Sequence, residues 1–387
     1  MNKIIYLDNA ATTKPLDEVI DIMQETQKTS YGNASSLHEL GIQAEILLEN
    51  SKKMIASAIN ANENEIIFTS GGTESNNLAI LGAIKNKKGR IITTKVEHPS
   101  ILDLFKSLEK EYDVVFIDVD QEGIINLKQL EDNITNDTLI VSVLHANNEI
   151  GTIQNIKEIS EVIKNKNPNT ILHVDACQSF TKIDIDIKDM NIDLLTLNGH
   201  KIHGPKGIGA LYVRKGIKLL PIMLGGHQEE NLRPGTENIP AIIGFAKAVE
   251  IAMTEKEKIM AHIRKLQKKL IDECLKISDT KLNGPTDYNK KICNVANITF
   301  KFIEGEALLM LLNEKGICVS TGSACSSKDL KASHVILALG KPILEAHGTI
   351  RFSLSKFTTE EDIMYTIEKL KEAVNILRKI SHLKRIE

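Results

Sequence analysis

From Glu65 to Val213 the chain alternates short apolar runs with helix-periodic stretches, and this alternation restricts the fold more than any other feature of the sequence. The runs "EIIFTS", "RIITT", "YDVVFIDV", "TLIVSVLH", "TILHVDA", "IDLLTLN" and "GIGALYV" read as strands. Helices open near Thr73 and His98, and "IKEISEVIKN" between two strands is helix-periodic. This order predicts an α/β fold, a large, mostly parallel sheet with helices on both faces. Such sheets bind ligands at the carboxyl ends of their strands, so chemistry is expected just after each strand.

Beyond Pro240 the pattern changes. "AIIGFAKAVEIAMTEKEKIMAHIRKLQKKLIDECL" reads as one long helical region, followed by a strand "NVANITF", a helix from Glu304, a strand "TIRFSLS" and a final helix from about Thr358. A chain of 387 residues exceeds one small core. The expected division is a large domain over 15–240 and a smaller α+β domain made from 1–14 and 241–387.

Composition removes several functions. A net charge of -3 argues against a general nucleic-acid or membrane-surface binder, and 4% aromatics with no Trp argue against a base-stacking platform. No apolar run is long enough to span a bilayer, and "MNKIIYLDNAATT" lacks the core of a signal peptide. The five cysteines are odd in number, scattered and without a CxxC pair, which fits a reducing, cytoplasmic setting without an intrinsic metal site.

The turns after the strands carry the chemistry. "GGTESNN", with Gly72 and Thr73 opening a helix, suits an anion, because free backbone N–H groups and the positive helix end face it; taken alone it is also an ordinary N-capped turn. His98 precedes Pro99 at a helix start, a common place for a polar loop residue. Asp175 ends the strand in "HVDACQS", with Gln178 three residues on. Lys201 follows a strand among four glycines; crowding there desolvates the amine, lowers its pKa and favours Schiff-base chemistry. An amine for an aldehyde, an acid for a pyridine nitrogen and an anion site for a phosphate together match pyridoxal phosphate. One thiol stands apart: Cys325 lies in "STGSACSS", among residues too small or polar to form a core face.

In these residues the chain resembles the NifS and IscS type of cysteine desulfurase, within the aminotransferase class V group of pyridoxal-phosphate enzymes. The resemblance runs through "YLDNAATTKP", "YGNASSLH", "FTSGGTESNN", "EHPSILD", "HANNEIGTIQ", "HVDACQS", "GHKIHGPKGIGALYVR", "RPGTEN", "STGSACSS" and "TIRFSLS", in that order. It implies pyridoxal-phosphate fold type I and conversion of L-cysteine to L-alanine. Lys201 would carry the cofactor, Asp175 would pair with its pyridine nitrogen, and His98 would lie over its ring and assist proton transfer. Gln178 and Asn148 would bond the cofactor's phenolic oxygen or flank its ring. Gly72, Thr73, Asn198 and His200 would hold the phosphate, with Thr236 reaching in from the second subunit of a homodimer. Arg351, supported by Asn33, would bind the substrate carboxylate. Cys325 would take the sulfur as a persulfide and pass it to an acceptor such as an iron–sulfur scaffold, with which it would share iron transiently. Asn198 departs from the Ser that many relatives carry there, and the ending "RKISHLKRIE" is shorter than in some relatives. A selenocysteine lyase, an aminotransferase and an inactive partner-binding scaffold are the competing readings. Cys325 argues against the second, and the presence of Lys201, Asp175 and Cys325 against the third.

Overall fold

The computed structural model describes residues 3–322 and 332–382. Cys325, in 323–331, lies outside them. The chain opens with β1 (Ile5–Tyr6). A seven-stranded sheet then takes β2 (Ile66–Thr69), β3 (Arg90–Thr94), β4 (Asp113–Ile117), β5 (Thr138–Leu144), β6 (Ile171–Asp175), β7 (Leu194–Asn198) and β8 (Gly209–Val213). A three-stranded sheet takes β9 (Thr280–Asn283), β10 (Val295–Phe300) and β12 (Thr349–Ser353), while β11 (Ile317–Cys318) pairs in parallel with β1.

The order of the large sheet is β2-β8-β7-β6-β5-β3-β4. Every pair among β3 to β7 is parallel, and β8 runs antiparallel to both β7 and β2. All strands of this sheet except β8 therefore present their carboxyl ends on one side. β6 and β7 are buried along their whole length, which explains why they read as near-continuous apolar runs. Alternate strand residues pack on opposite faces. Phe68, Val143, Val174 and Leu197 join one core with the helices Glu39–Ser57 and Ile239–Thr254. Ile67, Ile91, Leu194 and Leu211 join another with the helices Gly72–Ile84 and Pro99–Leu108.

A third core belongs to the smaller sheet. Ile5 and Leu7 from the chain's start pack there with Leu266, Phe300, Phe352 and Leu370. The long helical region is two helices, Ile239–Thr254 and Lys256–Cys274, meeting at Glu255. The first places Ile242, Phe245 and Val249 in the large sheet's core. The second contributes Ile263, Leu266 and Leu270 to the smaller one. Apolar packing therefore changes over near residue 255 and not at 240. Among the described residues no helix is long and apolar enough to cross a membrane.

Candidate active site

The carboxyl ends of the parallel strands enclose a cavity of about 230 Å³. Gly72, Thr73 and His98, from the turns after β2 and β3, line it together with Asn148 after β5. Asp175 and Gln178 reach it from the end of β6, Asn198, His200 and Lys201 from the end of β7, and Arg351 from β12 of the smaller sheet. Ten residues singled out in the sequence thus meet in one space.

Asp175 is buried, and its two oxygens are held separately. Oδ1 accepts from the Cys177 backbone N–H at 2.9 Å, and Oδ2 accepts from Asn76 Nδ2 at 2.8 Å. Asn76 Nδ2 also donates to Ser100 Oγ at 2.9 Å, and that oxygen lies 2.8 Å from His98 Nδ1. The Ser100 backbone N–H donates to the same Nδ1 at 3.1 Å, so Nδ1 is an acceptor and the neutral ring carries its proton on Nε2. Burial holds the His98 pKa below its ordinary value, against the pull of Asp175 and with help from the charge on Lys201. His98 also caps the helix Pro99–Leu108, which fixes where its ring starts.

Lys201 Nζ donates to the carbonyl oxygens of Ala10 and of Ala11, the latter at 2.7 Å. Burial, aided by the nearby Arg351 guanidinium, brings its pKa from 10.5 down to about 8. Lys182 ties the two flanking turns together by donating to the backbone oxygens of Gln178 at 3.0 Å and Lys201 at 3.1 Å. His200 Nδ1 lies 3.2 Å from Thr12 Oγ1, and burial followed by the charge of Lys201 drops its pKa to about 4, so it is a neutral hydrogen-bonding group. Arg351 is 1% exposed and donates to Asn148 O at 3.0 Å and Asp8 Oδ1 at 2.7 Å.

Gly72 has a steric reason. A Cβ there would stand 2.6 Å from Cys177 Sγ. The helix Gly72–Ile84 can bring its first backbone N–H groups to the cavity only while this position lacks a side chain. Cys177 itself is no thiolate, since burial and Asp175 push its pKa well up.

Asn33 and Thr236 do not line this cavity, and Thr236 was expected at a second copy's site. Asn33 is exposed, and its Oδ1 accepts from the Ser35 backbone N–H at 2.9 Å. Thr236 is exposed in the loop before Ile239–Thr254 and lines a separate hollow with Ser70, Arg233 and Asn238. That loop is fastened to the Gly72 turn: Arg233 Nε donates to Glu74 Oε1 at 3.0 Å, and Glu74 Oε2 accepts from the Ser70 backbone N–H at 2.7 Å. Sequence reasoning missed Asp8, Asn76, Ser100 and the Ala10 and Ala11 carbonyls. Asn76 stands in the polar opening of its helix, "GGTESNN", where nothing in the spacing sets it apart from Asn77.

The arrangement offers a helix N-terminus for an anion, a fixed carboxylate, an amine of lowered pKa and a buried guanidinium within one cavity. The family model for aminotransferase class-V matches residues 5–365. The chain belongs to the aminotransferase class-V family. Among class-V relatives, "Cysteine desulfurase IscS" of Methanosarcina thermophila is 45% identical over 99% of this chain and 95% of its own length. "Cysteine desulfurase IscS" of Dictyoglomus turgidum is 44% identical over 100% and 98%. A solved "NIFS-LIKE PROTEIN" superposes with a TM-score of 0.91 at 36% identity, covering 97% of this chain and 100% of that one. "SspA in complex with cysteine" superposes at 0.80 with 35% identity over 92% and 100%.

Proposed function

We propose that the protein is a pyridoxal-phosphate-dependent cysteine desulfurase, which takes sulfur from L-cysteine and leaves L-alanine. The observation that carries this reading is the meeting of Lys201, Asp175 and Arg351 in one cavity, in a chain whose full-length relatives are named cysteine desulfurases.

The cavity fits the cofactor on its own terms. Three buried side-chain oxygens, Asn76 Oδ1, Gln178 Oε1 and Asn198 Oδ1, have no protein partner, and Gln178 and Asn198 line the cavity beside Asp175. Buried polar atoms left unpaired in this way call for a polar occupant. Asp175 would face the pyridine nitrogen, and Gly72, Thr73, Asn198 and His200 would surround the phosphate. Gln178, Asn148 and His98 would flank the ring. Thr236 would complete the phosphate end of a second copy's site, making the working form a homodimer. Bound there, pyridoxal phosphate supplies an electron sink that acidifies the substrate's Cα proton.

The chain's own residues do the rest. Arg351 binds the substrate carboxylate and turns Cα toward Lys201. Lys201, with a pKa of about 8, takes the Cα proton as a free amine. When it is free, the Ala10 and Ala11 carbonyls hold it in place. His98, neutral and protonated on Nε2, supplies a proton donor fixed through Ser100 and Asn76. Cys325 as thiolate attacks the substrate sulfur. The carbon–sulfur bond breaks, its electron pair stays on Cβ, and protonation of Cβ with return of a proton to Cα gives alanine. Cys325 keeps the sulfur as a persulfide, which an acceptor of the iron–sulfur-scaffold kind removes in the cytoplasm.

The test is product formation from L-cysteine with a reductant present. Alanine and sulfide in equal amounts, both lost in Lys201→Ala and in Cys325→Ala, are expected. Sulfide released by Cys325→Ala as fast as by the native protein would overturn the persulfide route and favour a lyase acting without the thiol.

A further inference from the structure

The segment that follows β1 is wired into the cavity from several sides. Asp8 bridges Ser353 through the backbone, Asn9 Nδ2 donates to Ser353 O at 2.8 Å, and the Ala10 N–H donates to Ser353 Oγ at 2.9 Å. Pinned on β12 in this way, the segment meets the site twice through charged groups. Ala10 and Ala11 receive the Lys201 amine, and Asp8 Oδ1 accepts from Arg351 Nη2 at 2.7 Å.

Asp8 is the one carboxylate among the described residues that pairs with Arg351. The guanidinium side chain is only 1% exposed, so its charge is neutralised inside the protein before any ligand arrives. A buried guanidinium without that partner would be costly. The pairing also has a consequence for what can enter. A ligand carboxylate brought to Arg351 places two anions on one cation, and in a partly buried site like charges repel strongly. A molecule that carries its own cation next to the carboxylate relieves this; a plain carboxylate does not.

We propose that Asp8 is a specificity-determining residue that sets the Arg351 site against plain carboxylates and in favour of α-amino acids, whose ammonium offsets the second negative charge. This rests on the reading of Arg351 as the anchor for the substrate carboxylate. Asp8 acts through Arg351 and through the local charge balance, so it is a positioning residue and takes no part in bond making.

The test compares propionate with L-alanine, the same skeleton without and with the ammonium, by calorimetric binding to the cofactor-loaded protein. Asp8→Asn removes the charge and keeps the shape. It is expected to tighten propionate by about tenfold, the scale of a screened charge–charge interaction at a half-buried site, and to change L-alanine much less. Asp8→Ser gives the same change in the ratio and serves if the asparagine variant does not fold. Equal shifts for the two ligands, or weaker propionate binding, would overturn the proposal and reduce Asp8 to a prop for Arg351. A third variant, Arg351→Lys, separates the premise. If it leaves propionate binding unchanged, Arg351 is not the anchor and the reading beneath the proposal fails with it.

Discussion

Asn76 donates to Asp175 Oδ2 at 2.8 Å from inside the helix Gly72–Ile84, which joins the cavity's acid to the helix that forms its anion site. The same amide nitrogen reaches Ser100 Oγ and so orients His98. Three side chains from three strand ends are thereby fixed relative to one another.

Replacing Asn76 by Ala leaves Asp175 without its side-chain donor. A hydrogen bond to a buried charged group is worth roughly 1.5–3 kcal/mol. Cofactor retention in Asn76→Ala should therefore weaken by about 10–100-fold. Equilibrium dialysis measures this, and unchanged retention would show that Asp175 is held well enough by the Cys177 N–H alone.

The lowered pKa of Lys201 makes a signed prediction. A buried lysine that resists charging costs stability below its folded value, and the cost fades as the pH rises from about 8 to the ordinary 10.5. The free amine is also the reactive form. Reaction of the cofactor-free protein with a small aromatic aldehyde, trapped by borohydride, should rise with a midpoint near pH 8. A midpoint near 10.5 would contradict the desolvated site.

Gly72 and Cys177 should behave as a pair. Gly72→Ala drives a methyl group to 2.6 Å from Cys177 Sγ and is expected to destabilise by about 1–3 kcal/mol, the usual penalty for overpacking. Adding Cys177→Ala removes the obstacle and should recover much of the loss. Thermal melts of the two single variants and the double variant form the cycle, and simple additivity would show that the clash is relieved elsewhere.

His98 should be found in the neutral form with its proton on Nε2, and should stay neutral to a lower pH than a free histidine because burial opposes its charging. Nitrogen-15 NMR of the ring reports both. In Ser100→Ala the hydroxyl bond to Nδ1 is lost, and the ring signals should show a less uniform tautomer. An Nδ1-protonated ring in the native protein would overturn the assigned relay.

What the sequence disclosed and what it hid follow one physical rule. Asp175 ends a strand, and Lys201 and His98 stand in the turns just after one, so the strand pattern alone places them at one edge of a parallel sheet. The reversed direction of β8 was not read from the sequence, although its cause is local: only ten residues separate its start from the end of β7, too few for a parallel crossover of a dozen or more. The ion pair of Asp8 and Arg351 joins residues 343 apart in the chain, and no local spacing encodes such a contact. The break at Glu255 was hidden because both flanking helices keep helical periodicity; they differ only in which core they cover.

The most direct measurement is the mass of the protein after one turnover with L-cysteine and no reductant, followed by mapping of the modified residue. A gain of one sulfur atom on Cys325, with one alanine formed per site and no gain in Cys325→Ala, is the predicted result. Alanine formed with no sulfur on Cys325, or sulfur found on Cys177 in its place, would contradict the account.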